Sequence, residues 1–366
     1  MTSCAIVGGG LAGFTVHATL RHGGLATGEI AVFGDNPDPA AVWQRRAASI
    51  RQREMRSESD GHCYPTSFPG LAAREALRRR TPGPVLRSVC DRYRPSVDEF
   101  LAHVERLREH SGWDESFHRA RIERIRAVPG GFELEGHGVF RHVLVAPGHP
   151  GLARPFELAD DPRAVHAYEP HPYAARVAVV GAGMAAATEW RNALETGSTV
   201  VSVRRREPER RPLNLPRPLF TRRGLAGFHA TPPAERVEML TRLSKPSYPP
   251  GQSWDEPLER ARREGRFAVA GAPSDADQII CATGFRRGFG HDRLLARLVN
   301  EHGVDTAGRW IVLASDSTVP ALTDEHRTLA IAGAPAQWAF PAADTLVGMK
   351  FAAHAFLRRV SRCPTR

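Results

Sequence analysis

Two glycine-rich turns, separated by about 170 residues, constrain the fold of this chain more than any other feature. They are G-x-G-x-x-G at Gly8, Gly10 and Gly13, and G-x-G-x-x-A at Gly181, Gly183 and Ala186. Each turn follows a short apolar run and precedes a helical pattern, which is the context of a dinucleotide-binding βαβ unit. The sequence therefore predicts an α/β fold with two Rossmann-like dinucleotide-binding domains.

In the first turn, each glycine has its own physical role. Gly8 permits the tight turn, Gly10 lets the backbone approach a pyrophosphate, and Gly13 lets helix and strand pack closely. The helix that begins with Leu11 and Ala12 offers unpaired N–H groups and a partial positive charge to the phosphates. We therefore predict that these five residues bind a dinucleotide.

An acidic residue is expected where the second strand of such a unit ends, because it accepts a hydrogen bond from a ribose hydroxyl. Asp35 follows the apolar run at residues 29–33 and is the candidate. The alternative is that Asp35 is an ordinary turn residue, since residues 34–37 read Gly-Asp-Asn-Pro.

The second turn leads into a helix through Met184, Ala185 and Ala186, and alanine is an accepted third residue of the fingerprint. Its second strand ends in arginines, beginning with Arg204 and Arg205, rather than in an acid. A carboxylate would repel a 2′-phosphate, whereas arginine holds it by charge-assisted bidentate hydrogen bonds. This pattern favours NADPH over NADH, and the alternative is a solvated arginine run.

Two dinucleotide sites in one chain imply that one nucleotide donates hydride and that a bound flavin accepts it. The first site lacks an arginine cluster and fits FAD, so the second is predicted to bind NADPH. No catalytic residue is predicted, because the cofactors carry this chemistry and the protein mainly orients them.

The net charge of +10 does not indicate a nucleic-acid partner, since only Lys245 and Lys350 are lysines and no DNA- or RNA-binding motif occurs. No apolar run reaches the ~18–20 residues that span a bilayer, and no leader-like segment precedes the first strand. We therefore expect a cytoplasmic protein with no membrane or nucleic-acid partner. The five cysteines form no C-x-x-C, which argues against a disulfide scaffold, a metal site and a dithiol centre.

Two short motifs add a resemblance to this pattern. Residues 282–285 read Ala-Thr-Gly-Phe, and residues 145–148 read Val-Ala-Pro-Gly. In this order, the motifs resemble those of the two-dinucleotide-binding flavoprotein superfamily, most closely the flavin-containing and N-hydroxylating monooxygenases. The resemblance implies that the NADPH domain, residues 171–277, is inserted into an FAD domain formed by residues 1–170 and 278–366.

The resemblance also implies further cofactor residues. Thr283 and Gly284 would lie where the chain returns to the FAD domain. Trp43, Arg53 and Met55 would line the isoalloxazine, the alternative being that they belong to a surface loop. The helix that starts at Asp344 and Thr345 would point its N–H groups at the flavin pyrimidine, with Asp344 alternatively an ordinary helix cap. His166 is the only part of these enzymes' Phe-Gly-His fingerprint that the chain retains.

The implied activity is an NADPH-dependent monooxygenase that transfers one atom of dioxygen to a small organic substrate through a flavin C4a-(hydro)peroxide. One alternative is a flavin reductase or dehydrogenase that passes electrons to another acceptor. Another is a non-enzymatic nucleotide-binding protein. A homo-oligomer is compatible with each of these three possibilities. Residues 36–100 and 211–257, including the stretch 217–220, are the candidates for the substrate pocket.

Overall fold

Two five-stranded parallel sheets carry the two glycine turns, which follow the strands Cys4–Val7 and Arg176–Val180. The computed structural model describes residues 4–55, 70–89, 93–204, 207–208, 210, 215–250, 253–273 and 275–362. An antiparallel three-stranded sheet and a two-stranded hairpin accompany the parallel sheets.

The strands, in chain order, are β1 (Cys4–Val7), β2 (Ile30–Gly34), β3 (Phe117–Arg119), β4 (Ile125–Val128), β5 (Gly131–Leu134), β6 (Gly138–Phe140), β7 (His142–Val145), β8 (Ala164–His166), β9 (Arg176–Val180), β10 (Thr199–Val203), β11 (Phe267–Ala270), β12 (Gln278–Cys281), β13 (Thr306–Ala307), β14 (Trp310–Ile311) and β15 (Thr328–Ile331).

The helices are α1 (Leu11–His22), α2 (Ala41–Ser49), α3 (Gly70–Arg79), α4 (Gly83–Val89), α5 (Val97–Ser111), α6 (Trp113–Ser116), α7 (Met184–Glu195), α8 (Arg222–Ala230), α9 (Pro233–Leu243), α10 (Asp255–Arg263), α11 (Arg293–His302) and α12 (Leu346–Arg362). Among these described helices, none combines the length and the apolar character needed to cross a lipid bilayer.

The first sheet has the strand order β15-β7-β1-β2-β3, with all pairs parallel. All four residues of β1 are buried, as expected for a central strand covered on both faces. Helices α1 and α12 pack together on one face, where Phe14 and Phe356 belong to one apolar core. The second sheet, β11-β10-β9-β12-β8, is built in the same way around β9.

The strand order reverses direction beside β1 in the first sheet and beside β9 in the second. From β1 the chain moves to β2 on one side, whereas β7 is added on the other side. From β9 it moves to β10, whereas β12 is added on the opposite side. Parallel α/β sheets bind ligands outside the carboxyl ends of their strands at such points. The topology therefore sets both glycine turns at the expected ligand positions.

The second domain is an insertion into the first. The chain leaves the first sheet after β7, forms the second sheet, and completes the first sheet with β15. The second sheet includes β8 and β12, which lie in sequence on either side of the predicted insert at residues 171–277. We therefore propose that the domains meet at the crossing segments 148–154 and 283–287 rather than at residues 170 and 277.

The first domain also reaches into the second immediately after α2. Ile50 is buried in the apolar core of the second domain, beside Trp190. The Asn192 side-chain amide of α7 donates a hydrogen bond of 2.7 Å to the Ile50 carbonyl. Nearby, the Arg53 guanidinium lies 3.4 Å from the Glu195 carboxylate. The two domains are thus joined by this anchor as well as by the crossing segments.

Three buried histidines lie in the first domain. Burial lowers the pKa of His17 to about 3 and the pKa values of His103 and His142 to about 4, and arginines near each ring act in the same direction. Neither ring nitrogen of His103 or His142 has a hydrogen-bond partner. These rings are consequently neutral in the folded protein at neutral pH.

We expect the protein to lose stability as the pH falls from about 6.5 to about 4. In this window the unfolded chain binds protons that the folded state excludes, at a cost of about 1.4 kcal/mol per pH unit for each histidine. Urea denaturation across this range should give a shallower pH dependence for His142→Leu than for the unaltered protein. The matched control is exposed His326→Leu, which should retain the original slope, and equal slopes for all three proteins would contradict the prediction.

Candidate functional site

A groove with a volume of about 560 Å³ runs along the carboxyl ends of the first sheet. This volume is in the range of small-molecule and cofactor sites. Of the predicted residues, it is lined by Gly8, Gly10, Leu11, Ala12, Asp35, Trp43 and Asp344. The structure thus brings together residues that are separated by more than 300 positions in the sequence.

The first glycine turn forms the floor of the groove. A Cβ atom on Gly8, which has φ +122°, would lie 2.1 Å from the Ala146 carbonyl oxygen, and one on Gly13 would lie 1.9 Å from the Gly8 carbonyl oxygen. A Cβ atom on Gly10 would meet no protein atom within 4 Å. Gly8 and Gly13 are therefore required by the packing of the turn, whereas Gly10 keeps space open above it.

The N-terminus of α1 faces this open space. Its N-cap, Gly10, supplies no side-chain hydrogen bond, and the first turn contains no acidic residue. The first N–H groups of a helix have no acceptor within the helix, so they remain available to an anion. This is the arrangement that a pyrophosphate requires.

Asp35 stands beside the turn because β2 packs closely against it. A Cβ atom on Gly34 would lie 2.8 Å from the Gly9 nitrogen, so only glycine fits there. The turn that follows is closed by Asn36 and Asp38, whose side chains accept backbone hydrogen bonds of 2.9 and 2.8 Å. Asp35 is exposed in the groove and is not used to close that turn.

Asp344 and Thr345 lie at the other end of the groove, before α12. The Thr345 hydroxyl accepts a hydrogen bond of 3.2 Å from the Gly348 nitrogen, so Thr345 and not Asp344 caps the helix. The helix consequently begins at Leu346, two residues later than the sequence predicts. The Asp344 side chain is exposed and lines the groove.

The second glycine turn has the same design. A Cβ atom on Gly181, with φ +135°, would lie 2.5 Å from the Ala282 carbonyl oxygen, whereas one on Gly183 would have only the Ser247 carbonyl oxygen nearby, at 3.9 Å. Helix α7 starts at Met184 without a side-chain cap or an acid in its first turn. Ala186 is fully buried, as the helix–strand packing position requires.

Arg204 follows β10, where the sequence predicts a 2′-phosphate site. Its side chain is only 5% exposed and forms an ion pair of 2.6 Å with Glu207. Its guanidinium lies 5.6 Å from the centre of the Trp190 ring. Arg205 lies outside the described residues. Arg204 is thus already engaged with the protein in this structure.

The two crossing segments between the domains pair with each other. Leu152 and Phe285 form an antiparallel bridge, and the Thr283 hydroxyl donates to the Ala153 carbonyl. Gly284 has φ +76°, and its carbonyl lies 3.0 Å from Nε2 of His166. Thr283, Gly284 and His166 therefore hold the junction in place.

A stack of rings fills the space between the domains at this junction. Phe285 stacks on His149 with 4.2 Å between ring centres and on Tyr168 with 5.0 Å. The Arg46 guanidinium lies 4.6 Å from the centre of the Phe285 ring. Burial, Arg46 and Arg287 lower the pKa of His149 to about 4, so its ring is neutral at neutral pH.

Solved structures with this domain arrangement are numerous. A Kutzneria sp. 744 ornithine N-hydroxylase with reduced FAD, NADP⁺ and L-ornithine matches at 15% identity, over 99% of each chain, with a TM-score of 0.72. The FAD-bound cadaverine monooxygenase DfoA of Erwinia amylovora matches at 12% identity, over 97% of this chain and 93% of that one, with a TM-score of 0.73.

A bacillithiol disulfide reductase of Bacillus cereus also matches, at 14% identity over 98% of both chains, with a TM-score of 0.60. The chain has the fold of the two-dinucleotide-binding-domain flavoproteins. No family model matches the sequence, and no curated protein matches it by sequence. At these identities, the structural likeness establishes the flavoprotein fold alone.

Two residues predicted to line the isoalloxazine lie outside the groove of this flavoprotein fold. The Arg53 side chain is 76% exposed and pairs with Glu195 of the second domain. Met55 is buried in the core of the first domain, and its N–H donates to the Pro95 carbonyl. Trp43 does line the groove and packs edge-on against Phe100. Of these three residues, only Trp43 therefore lines the groove.

Sequence reasoning missed several groove and junction residues, among them Arg46, His149 and Tyr168. A usable signal existed for His149, because it directly follows the Val-Ala-Pro-Gly motif at residues 145–148. No comparable signal existed for Arg46, which is one arginine of a helix that the sequence left unassigned.

Proposed function

We propose that this chain is an FAD-containing, NADPH-dependent oxidoreductase. The observation that carries the proposal is the pair of glycine turns, each opening an uncapped helix N-terminus at the carboxyl end of its own parallel sheet. One turn lies in a groove of cofactor size, and the other stands on the far side of a shared junction. Two nucleotide sites arranged in this way fit a hydride donor and a bound acceptor.

The groove fits FAD. The helix N-terminus at Leu11 and Ala12 would hold the pyrophosphate, and Asp35 would accept a hydrogen bond from the adenosine ribose. The open space above Gly10 supports this assignment, since a side chain there would fill the groove rather than touch the protein. Asp344 and the N-terminus of α12 would lie beside the flavin ring, as they border the opposite end.

The second turn fits NADPH. Gly183, Met184 and Ala185 would hold the pyrophosphate at the N-terminus of α7. The 2′-phosphate would be held by Arg204 and Arg205. Of these, Arg204 is buried against Trp190 and paired with Glu207. The solved structure of the Kutzneria hydroxylase, which has this fold, contains NADP⁺.

Charge reversal of Arg204 and Arg205 to glutamate is expected to raise the Michaelis constant for NADPH by about 10- to 100-fold, the loss of one or two charge-assisted hydrogen bonds. The constant for NADH should change little, because NADH lacks the 2′-phosphate. Steady-state NADPH and NADH oxidation by the double variant and by Arg205→Glu alone provides the measurement. Equal effects on both nucleotides would remove the 2′-phosphate role, and Arg263→Glu on exposed α10 is the charge-matched control.

When bound in the groove, FAD would supply a hydride acceptor and a carrier for the electrons. The chain's own contribution would be to orient the cofactors and to exclude water from the space between them. The stacked rings of His149, Phe285 and Tyr168 fill the junction between the two sites. The His149 ring is neutral at neutral pH, so it adds no charge to this stack of rings. Excluding water protects a reduced cofactor from side reactions.

We further propose that the electrons go to dioxygen and that one oxygen atom is transferred to a small organic substrate. A dithiol relay within this chain would require paired thiols. The sequence has no C-x-x-C, and the described cysteines Cys4 and Cys281 are buried. The structural likeness to an ornithine N-hydroxylase and to a cadaverine monooxygenase supports the proposal of oxygen transfer.

The deciding experiment follows oxygen atoms. The FAD-loaded protein is reduced by NADPH without oxygen and is then mixed with isotopically labelled dioxygen and a panel of amines, ketones and sulfides. Label in an organic product, in proportion to the NADPH oxidised, is the expected result. Release of hydrogen peroxide alone across the panel would remove the monooxygenase proposal but would leave the oxidoreductase proposal intact.

A second candidate is an NAD(P)H-dependent flavin reductase that serves another acceptor. The structural likeness to a bacillithiol disulfide reductase supports it. So does His166, the remnant of the monooxygenase fingerprint, which is buried and serves the junction rather than a substrate. Rapid, NADPH-driven reduction of a quinone or dye, with no labelled product, would favour this reading. A protein that binds FAD but is not reduced by either nucleotide would instead be a non-enzymatic binder.

A further inference from the structure

A small, separate cavity adjoins the flavin end of the groove. It shares Gly148, His149 and Asp344 with the groove and has a volume of about 40 Å³. Since one water-sized atom needs roughly 10–15 Å³ by this measure, the cavity has room for about three such atoms. It is therefore large enough for one small functional group and too small for a second nucleotide.

Arginines from two different segments line this cavity. Arg286 and Arg287 end the second crossing segment, and Arg309 precedes β14. The Phe289 N–H donates a hydrogen bond of 3.3 Å to the Arg309 carbonyl, which joins the segments. At Gly288, with φ +102°, a Cβ atom would lie 2.9 Å from Cβ of Arg309. The absent side chain at this glycine is what allows the two arginines to approach.

Within the described residues, neither Arg287 nor Arg309 forms an ion pair with an acidic side chain. The Arg309 guanidinium donates a hydrogen bond of 3.1 Å to the Ser244 hydroxyl. It also lies 4.5 Å from the centre of the Trp310 ring. Burial and the charge of Arg287 lower the pKa of Arg309. Two like charges beside an enclosed space favour an anion between them.

The acids that border the cavity do not fill this role. The Asp292 carboxylate accepts a hydrogen bond of 3.0 Å from the Leu295 N–H and caps α11. Asp344 lines both the cavity and the groove; Arg287 acts on it electrostatically, but the two form no ion pair within the described residues. The planar donor groups of the two arginines are thus left for a ligand.

We propose that Arg287 and Arg309 bind a carboxylate of the substrate next to the flavin. This inference rests on the proposed function, since the groove beside the cavity is taken as the flavin site. A carboxylate has three heavy atoms, which matches the space, and its two oxygens suit the planar donor set of arginine. The rest of the substrate would extend from the cavity past His149 toward the flavin end of the groove.

The test uses sodium propionate as the probe and the FAD-loaded protein. Saturation-transfer NMR and the difference spectrum of the bound flavin are followed as propionate is added at constant ionic strength. We expect saturable binding, and we expect the dissociation constant to rise at least about tenfold in Arg309→Gln and in Arg287→Gln. Arg309→Lys, which keeps the charge but loses the planar donors, should fall between these variants and the unaltered protein.

The matched control is Arg263→Gln, an exposed arginine of α10 whose loss should leave propionate binding unchanged. Propylamine should not compete with propionate. Unchanged binding in both cavity variants, equal competition by chloride at the same concentration, or no binding at all would overturn the proposal.

The failure of this inference differs from the failure of the proposed function. FAD content and the rate of reduction by NADPH are measured without propionate, and they test the proposed function alone. The NMR readout needs no flavin chemistry, so it tests the carboxylate site whichever electron acceptor is used.

Discussion

Gly10→Val is expected to lower FAD affinity by at least about 100-fold, the loss of roughly 3 kcal/mol of pyrophosphate contacts, while the protein remains folded. The valine side chain would enter open space, because a Cβ atom at Gly10 meets no protein atom within 4 Å. The backbone there has φ −84°, which any residue adopts. The side chain would instead occupy the position of the phosphates at the start of α1.

The measurement is the flavin content of the purified variant, followed by titration with FAD. Circular dichroism and thermal denaturation of the flavin-free form show whether the fold is retained. Gly271→Val is the matched control, since a Cβ atom at Gly271 also meets nothing within 4 Å but lies beyond β11, away from the groove. Gly8→Ala would not separate folding from binding, because its Cβ would lie 2.1 Å from the Ala146 oxygen.

If Gly10→Val keeps FAD at its original affinity, the groove does not hold the pyrophosphate at the N-terminus of α1. Loss of FAD together with loss of the fold would show instead that Gly10 is a packing residue. The second result would contradict the open space that the structure gives this glycine.

Gly183→Val should retain FAD and slow its reduction by NADPH by at least about 100-fold at a fixed nucleotide concentration, for the same reason at the second turn. The only protein atom near a Cβ at Gly183 is the Ser247 carbonyl oxygen at 3.9 Å, an ordinary contact distance. The valine would therefore block a nucleotide before it disturbed the chain.

Anaerobic stopped-flow reduction of the bound flavin provides the measurement. Reduction by dithionite should be unchanged, because that reagent does not use the second turn. Gly271→Val again serves as control, now as a residue of the same domain. A normal rate with NADPH would mean that the nucleotide reaches the flavin without binding at Gly183.

The sequence was sufficient for the parts of this molecule that depend on local backbone chemistry. A glycine that must adopt φ +122° or +135° and approach a carbonyl oxygen can be replaced by little else, so Gly8 and Gly181 are recognisable in the chain itself. The two βαβ starts and the insertion follow from such positions and from the motifs at the crossings. The structural comparisons confirm that predicted fold.

The sequence was insufficient where the direction of a side chain decides whether it lies in a predicted site. Arg204 and Arg53 are both arginines near a predicted site, yet one is buried against Trp190 and the other points to solvent. β3 was also missed, because a strand of three residues, Phe117–Arg119, is too short to show an alternating pattern. Its pairing with β2 depends on contacts between distant segments, which local periodicity does not encode.

The anchor at Ile50 has a consequence for domain motion. Swinging one domain past the other would withdraw Ile50 from its apolar pocket, at a cost of about 2 kcal/mol, and would break the Asn192 hydrogen bond to its carbonyl. The anchor therefore favours the arrangement of the two domains that the structure shows. A ligand that rotated one domain against the other would have to supply this free energy through its own contacts.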